Sequence, residues 1–466
     1  MAESKLFSKY GGINQSVDAV DISPRTFLTL DNFIVNQRIG EARKRPGTYH
    51  WSVTGDIWGV GAYSKETSFT KLPVYDIPVR HRRDGSTSVI EKLNWSTLVW
   101  DTITQGTYVS TFLGVSDVWS TAQIGTLLAV CSGRPAKLTS DSGNLERLGG
   151  PAPTTAPTVG NSGTGLTGSY SFVYTFYDST TGWESSPSPA SSAVTITNKQ
   201  LDLSALETTY AREGIDKKRI YRTLRTGEAP YLYDGEVAIA TTTYSTTVAD
   251  GSLGATAPDS GDHNPPPTTS HLVAAHENRL WISDGGKSLY YSHPYDGNNY
   301  QLEYFSSERR IDLPARITGL VVTASSGLQV FLPPGFGVYE VEGRSESQFS
   351  LRKRFDEIGT NFHDSVSTHE DFIAFWGATG PMVITPSGVL RDFSRAIEPT
   401  LRSLLVAEYG TSVFVWSRWS DYLKQFVFGF SATDATAAQW LETETGVPVN
   451  WMDVDTGATI GWVDNP

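Results

Sequence analysis

The sequence predicts an all-β protein: a β-propeller interrupted by an inserted immunoglobulin-like or fibronectin-like β-sandwich. Three observations predict it. Charged residues make up 19% of the 466 residues and aromatics 12%, with 43 Gly and 24 Pro. An average domain is about 25% charged, so this balance argues against a disordered chain, a coiled coil and a helical bundle. Short apolar runs bounded by turn residues recur along the chain, as strands do. From residue 268 a strand–turn–strand unit also returns. Counted from Leu280, Leu328, Phe372 and Phe426, its offsets are 48, 44 and 54, close to propeller blades of about 40–50 residues. A second sandwich is the competing reading of that repeat.

Taken in order, residues 1–150 supply the N-terminal part of the propeller, with apolar runs at 26–30, 33–35, 58–63, 98–100 and 126–130. Cys131, the one cysteine, follows Leu127, Leu128, Ala129 and Val130. It excludes an internal disulfide or a cysteine-based zinc site and reads as a small residue of a buried strand. The composition breaks at Leu148-Gly149-Gly150-Pro151. Residues 151–200 hold 19 Ser or Thr, which alone would suggest a linker. The aromatic alternation at 170–177 and the runs at 193–196, 216–223, 231–233, 237–240 and 243–246 instead give about six strands, a sandwich's complement. Asn264-Pro265-Pro266-Pro267 closes the segment as a stiff extended exit. Residues 151–267 are therefore the inserted domain, and 268–466 the C-terminal part of the propeller. Its repeat units lie at 279–282 with 288–291, 327–331 with 337–341, 371–375 with 381–384, and 424–430. A short helix is expected after Ser394, with Ile397, Leu401, Leu404 and Leu405 on one face.

Catalytic spacing is missing from the sequence. Gly163-Thr164-Gly165-Leu166-Thr167-Gly168 fits G-x-G-x-x-G, but it follows Pro- and Thr-rich chain and opens no helix, so it reads as a flexible loop and not a phosphate cradle. Asp453 and Asp455 begin a calcium-loop pattern that is not completed. His50, His81, His263, His271, His276, His293, His363 and His369 show no tight ligand spacing. There is no G-x-S-x-G elbow. Asp56, Asp84, Asp101, Asp284, Asp312 and Asp356 are candidate glycosidase carboxylates that sequence cannot pair. No catalytic, metal-binding or cofactor-binding residue is assigned, no cofactor is expected, and the chain is read as not an enzyme.

The net charge is −13, from 37 Lys and Arg against 50 Asp and Glu, with a pI near 5.1. A nucleic-acid gripper usually presents a basic face. Basic clusters stand out against this background: Arg43, Lys44 and Arg45; Arg80, Arg82 and Arg83 around His81; Arg309 and Arg310; and Arg352, Lys353 and Arg354. The plain reading is a solvated strand face. The functional one is a subunit or partner interface whose charge complementarity fixes register. DNA binding ranks third, because the net field repels it. The N-terminus lacks the apolar core of a signal peptide and no run reaches membrane-spanning length, so the chain is expected to fold in a reducing cytoplasm.

Three stretches carry a family likeness. Residues 30–35 and 40–48 (Leu30-Asp31-Asn32-Phe33-Ile34-Val35; Gly40-Glu41-Ala42-Arg43-Lys44-Arg45-Pro46-Gly47-Thr48) form the first. Glu277-Asn278-Arg279-Leu280-Trp281, Tyr291-Ser292 and Asp296-Gly297-Asn298-Asn299-Tyr300 form the second. Ile358-Gly359-Thr360 and residues 381–388 form the third. Together they resemble the tail nozzle proteins of short-tailed bacteriophages, also called tail tubular protein B or tail stabilisation proteins. Gly182-Trp183-Glu184-Ser185 and Arg219-Ile220-Tyr221-Arg222 are similar to the platform-type β domains of such proteins. The resemblance implies a propeller with an inserted platform domain. It further implies a homohexameric ring below the portal and its adaptor, a channel for DNA ejection without sequence-specific binding, and an outer surface that anchors tail fibres or spikes. The protein would be a structural component of the virion tail, assembled in the host cytoplasm. The alternative is a glycan-binding or glycan-cleaving propeller, with Trp58, Trp95, Trp100 and Trp281 stacking on sugars; a third reading is a receptor-binding tail spike.

Overall fold

A computed structural model describes residues 99–109, 120–140, 143–324 and 327–393 continuously, and elsewhere the strands named below. The described chain is nearly all β, in several antiparallel sheets with no closed barrel among the described residues. Among the described residues, no helix is long and apolar enough to cross a membrane. Near the N-terminus β1 (Gly12–Ile13) pairs in parallel with β2 (Thr26–Phe27), and β3 (Phe33–Asn36) antiparallel with β4 (Glu41–Lys44). The helix expected after Ser394 lies outside the described residues, as does the chain after Asp453.

The chain divides into two compact units, one of residues 57–313 and one of residues 1–56 with 314–466. Unit 57–313 holds three four-stranded meanders. The first is β5 (Asp56–Tyr63), β6 (Ile77–Asp84), β7 (Thr87–Asn94) and β8 (Val99–Thr102). The second is β9 (Ser120–Ile124), β10 (Leu127–Cys131), β11 (Pro135–Leu138) and β12 (Glu146–Arg147). An insert of six strands follows: β13 (Thr158–Tyr170), β14 (Phe172–Tyr177), β15 (Val194–Ser204), β16 (Lys217–Arg222), β17 (Leu232–Ala238) and β18 (Tyr244–Thr246). The third meander is β19 (Leu272–His276), β20 (Arg279–Ser283), β21 (Ser288–Ser292) and β22 (Phe305–Asp312).

The other unit holds three more meanders. They are β23 (Gly319–Thr323), β24 (Gly327–Phe331), β25 (Val338–Glu342) and β26 (Ser350–Phe355); β27 (Ser367–His369), β28 (Phe372–Trp376), β29 (Pro381–Ile384) and β30 (Leu390–Asp392); and β31 (Val413–Ser420), β32 (Gln425–Ala432), β33 (Ala437–Glu442) and β34 (Pro448–Asp453).

Strand β10 shows why its sequence is an unbroken apolar run. Successive side chains on a strand point to opposite faces. Leu128 and Val130 pack with Val79 of β6 and Ile90 of β7. Leu127, Ala129 and Cys131 pack with Val273, Leu280 and Ile282 of the third meander. The second meander therefore has no solvent face at its centre, and both periods of the strand must be apolar. Ser120 Oγ adds a polar fastening, donating to Val273 O and accepting from Val273 N, both at 3.0 Å. Strand β28 repeats the device in its own unit. Ile373 and Phe375 pack with Phe331 and Val338, while Ala374 and Trp376 pack with Val415, Phe426 and Phe428.

The insert forms two three-stranded sheets, β13-β15-β18 and β14-β16-β17. Their inner faces share one core, with Tyr170, Phe172, Tyr174 and Phe176 against Ile196, Leu201, Leu203 and Ile220. Two sequence expectations change here. Runs 231–233 and 237–240 are not two strands but mostly one, β17, passing through Gly235. A Cβ on Gly235 would lie 2.4 Å from the Tyr244 hydroxyl, so the glycine admits that hydroxyl to Asp234 O at 3.2 Å. The glycine motif at 163–168 is not a free loop. It belongs to β13, which pairs with β15 through register shifts on both sides of Leu166.

The open edge of β14 is closed by a serine ladder. Ser185, Ser188 and Ser191 each donate a backbone N–H to the carbonyl of Phe176, Tyr174 and Phe172 in turn, at 2.8–2.9 Å. The Oγ of each accepts the N–H of the same residue, at 2.9, 3.1 and 2.9 Å. One serine in three suffices because an extended Pro-rich chain has a threefold repeat, and Pro187 and Pro189, which have no N–H, fall between the contacts. Ser188→Ala leaves the buried Tyr174 N–H without its acceptor and is expected to cost about 1–3 kcal/mol. Urea unfolding measures this; an unmoved midpoint would show that the ladder adds nothing to stability.

Candidate functional site

The predicted interface residues fall on strands of both units. Arg43 and Lys44 lie in β4, in register with Ile34 and Phe33; Arg45 lies outside the described residues. Arg80, Arg82 and Arg83 lie in β6, opposite Glu91, Val89 and Ser88 of β7. Arg352, Lys353 and Arg354 lie in the edge strand β26. Arg352 reaches Glu340 at 2.5 Å and Glu342 at 2.8 Å, Lys353 reaches Asp356 at 2.8 Å, and Arg354 Nε lies 3.8 Å from Glu340. Hydrogen bonding to Glu340 and to Asp356 raises the pKa of Arg352 and of Lys353. The cluster is thus a set of local ion pairs and not a field of unopposed positive charge. Such exposed pairs add little stability; they are exchangeable charges at a sheet edge.

A second constellation, unassigned from the sequence, fastens the insert to the meanders of its unit. Glu303, in the 3-10 turn Asn299–Glu303, is fully buried. It accepts from Lys137 Nζ of β11 at 2.6 Å, from Arg212 Nε and Nη2 at 3.0 Å each, and from Gly149 N at 3.0 Å. Arg212 also donates to Asp178 at 3.1 Å, and its guanidinium lies 4.4 Å over the Trp183 ring. Burial alone would raise the Glu303 pKa, but the charges of Arg212 and Lys137 outweigh it and hold the carboxyl at about 2. Burial likewise opposes the charge on Arg212, and Glu303 and Asp178 more than offset it. Lone buried charges are costly, whereas a bidentate pair with every oxygen occupied is tolerated. Beside it, Glu213 accepts from Tyr108 N at 2.9 Å and Arg147 N at 3.1 Å.

The insert's connections meet at this point. Gly149 has φ +72°, and a Cβ there would lie 3.0 Å from both Pro265 and Pro266. The chain therefore enters and leaves the insert side by side, and the prolines found as an exit pack on the entry. Next to them is a histidine cluster. The His263 ring stacks on Tyr304 at 3.8 Å, with its Nδ1 2.9 Å from Glu184 O. Asp262 lies 3.1 Å from His293 Nε2 and accepts from Arg309 at 2.6 Å. Burial lowers the pKa of both histidines, and the charge of Arg309 lowers that of His293 further. Arg309, read from sequence as part of a basic patch, is thereby committed to a local carboxylate; Arg310 lies 3.4 Å from Asp312.

Other candidates are placed as follows. Trp281 is fully buried, 4.8 Å from Tyr291 with its Nε1 donating to His276 O, so it presents no face to a sugar. Cys131 is buried, and burial raises its thiol pKa. Among the described residues no group of three or more His, Cys, Asp or Glu is arranged to hold a metal ion.

No family model matches the chain, and no curated protein is similar to it. Among solved structures it is similar to AztD from Citrobacter koseri in its apo form, at 11% identity over 69% of this chain and 88% of that one, with a TM-score of 0.22. It is also similar to prolyl oligopeptidase B from Galerina marginata, at 9% identity over 82% of this chain, with a TM-score of 0.26. The chain spans 50% of that enzyme's length. Scores this low do not mark a shared fold.

Glu303→Gln takes the shared carboxylate from two buried cations, leaving Arg212 with Asp178 and Lys137 with Glu146 at 3.5 Å, and is expected to cost about 3 kcal/mol. Because the folded pKa is depressed, the stabilisation is complete above the ordinary 4.5 and is lost as pH falls towards about 2. Chemical denaturation across that window should show a steeper acid loss in the wild type than in the variant; parallel curves would refute it. The lowered histidines act in the same direction at higher pH. Stability falls as pH drops through the ordinary 6.5, since the unfolded chain takes up the protons first. His263→Phe, which keeps a ring on Tyr304, should flatten the melting temperature between about pH 7 and about pH 5.

Proposed function

We propose that this chain is a ring-forming structural subunit, the tail nozzle of a short-tailed bacteriophage. In this reading the six four-stranded meanders are the blades of a propeller, and the two-sheet insert is its sandwich-like platform domain. Six copies form the ring, attached to the portal-adaptor and anchoring fibres or spikes. DNA passes through the channel during ejection without sequence-specific contact, and no catalysis is involved. The virion tail is the place of action.

The observation that carries the reading is the interruption. A domain-sized insert enters and leaves at one point between two stacked meanders, and a buried ion network clamps it there. That is the architecture the resemblance implies. Two further observations support it. The −13 charge suits a wall along which DNA must slide without sticking. The ion pairs of β26, with the clusters around Arg43 and Arg80, supply charges that subunit contacts can exchange to set register.

Mass photometry of the full chain, with and without an adaptor-ring partner, tests the proposal. The expected species is a closed ring, six-fold by the resemblance, that adds the adaptor as a unit. A persistent monomer that cleaves or binds a polysaccharide would overturn it in favour of the glycan reading.

A further inference from the structure

We infer that β13 is the strand through which copies of this chain join, edge to edge, by β-addition; the inference rests on the ring reading above. The insert has four sheet edges, and three are covered, charged or short. The serine ladder covers β14. Residues 254–257 cover only the start of β17, through Tyr233 N to Ala255 O, Gly254 N to Tyr233 O and Ala257 N to Tyr231 O, and the rest of that strand carries the charges of Asp234 and Glu236. Strand β18 is only three residues long. Strand β13 is the fourth edge, and it is 13 residues long. Its far end is tied down where Ser169 N donates to Arg225 O. From Thr158 to Ser162 it pairs regularly with residues 200–204 of β15, and no described residue pairs with the outer side of that stretch.

Proteins blunt an open edge with Lys, Pro or a bulge. β13 has no charged residue and no proline, and its register shifts begin only beyond Ser162. Gly160 adds a second, independent sign. It has no positive φ, and a Cβ there would meet only Asp202 O at an ordinary 3.7 Å. Nothing among the described residues demands a glycine at that place, whereas close approach of another backbone does. The ring reading names the occupant, a second copy of this chain, and the charge balance fits it. Two copies that each carry −13 repel wherever acidic surfaces meet, and an uncharged strand of Thr, Gly, Asn and Ser lets backbones pair without a like-charge contact.

The test compares the wild type with Asn161→Lys and Gly160→Val by mass photometry, and follows amide hydrogen exchange at 158–162 in the wild type as concentration rises. Both variants should keep the wild-type melting temperature and weaken self-association by about tenfold or more, and the wild-type amides should gain protection as rings form. Wild-type rings that neither variant weakens, or amides that exchange equally fast in ring and monomer, overturn the inference and leave the ring reading standing. A wild type that stays monomeric overturns the ring reading and the inference with it. If a variant misfolds, the exchange measurement on the wild type still decides.

Discussion

A sheet whose middle strands have no solvent face must be covered twice, and the rest of this structure follows from that constraint. In β10 and β28 every residue is apolar or small, and alternate side chains enter two different cores. Each such sheet is held between neighbours, and each neighbour is placed by the sheet it covers. Non-directional apolar burial thereby gives a directional result, because the pleat sorts the side chains. Polar side chains add direction where sheets meet, as with Ser120 bridging both backbone groups of Val273.

The ion network around Glu303 does different work. Apolar side chains of the same size could give as much stability, since desolvating three charges offsets much of their attraction. A bidentate Arg–carboxylate pair adds geometry: Arg212 meets Glu303 in one orientation, and Lys137, Gly149 and Asp178 each fix a further direction. The contact ties residues 166 and 91 positions apart. Closing it therefore carries the entropy cost of ordering two long stretches of chain.

These differences decide what the sequence could reveal. The strands at 279–282, 288–291, 327–331 and 381–384 were legible because burial on both faces makes them predominantly apolar. The first part of β13 was not, because Thr158 to Gly165 are mostly exposed and carry no alternation to read. The basic run at 352–354 was visible, but its partners Glu340 and Glu342 sit across the ladder and only pairing in space turns a patch into ion pairs. Lys137 and Glu303 left a fainter trace, each a lone charge beside apolar neighbours in Ala136-Lys137-Leu138 and Leu302-Glu303-Tyr304. That pattern signals a buried charge with a partner elsewhere and does not name the partner. The serine ladder looked like linker composition because its period of three matches neither helix nor strand.

The side-by-side entry and exit at Gly149 and Pro265–Pro266 have a mechanical consequence. A pull on the insert reaches the meanders through two adjacent connections at once and is shared between them. The same geometry makes the insert a cassette. Its removal would leave chain ends lying side by side, and a different domain with close termini could take its place without disturbing the stacked sheets.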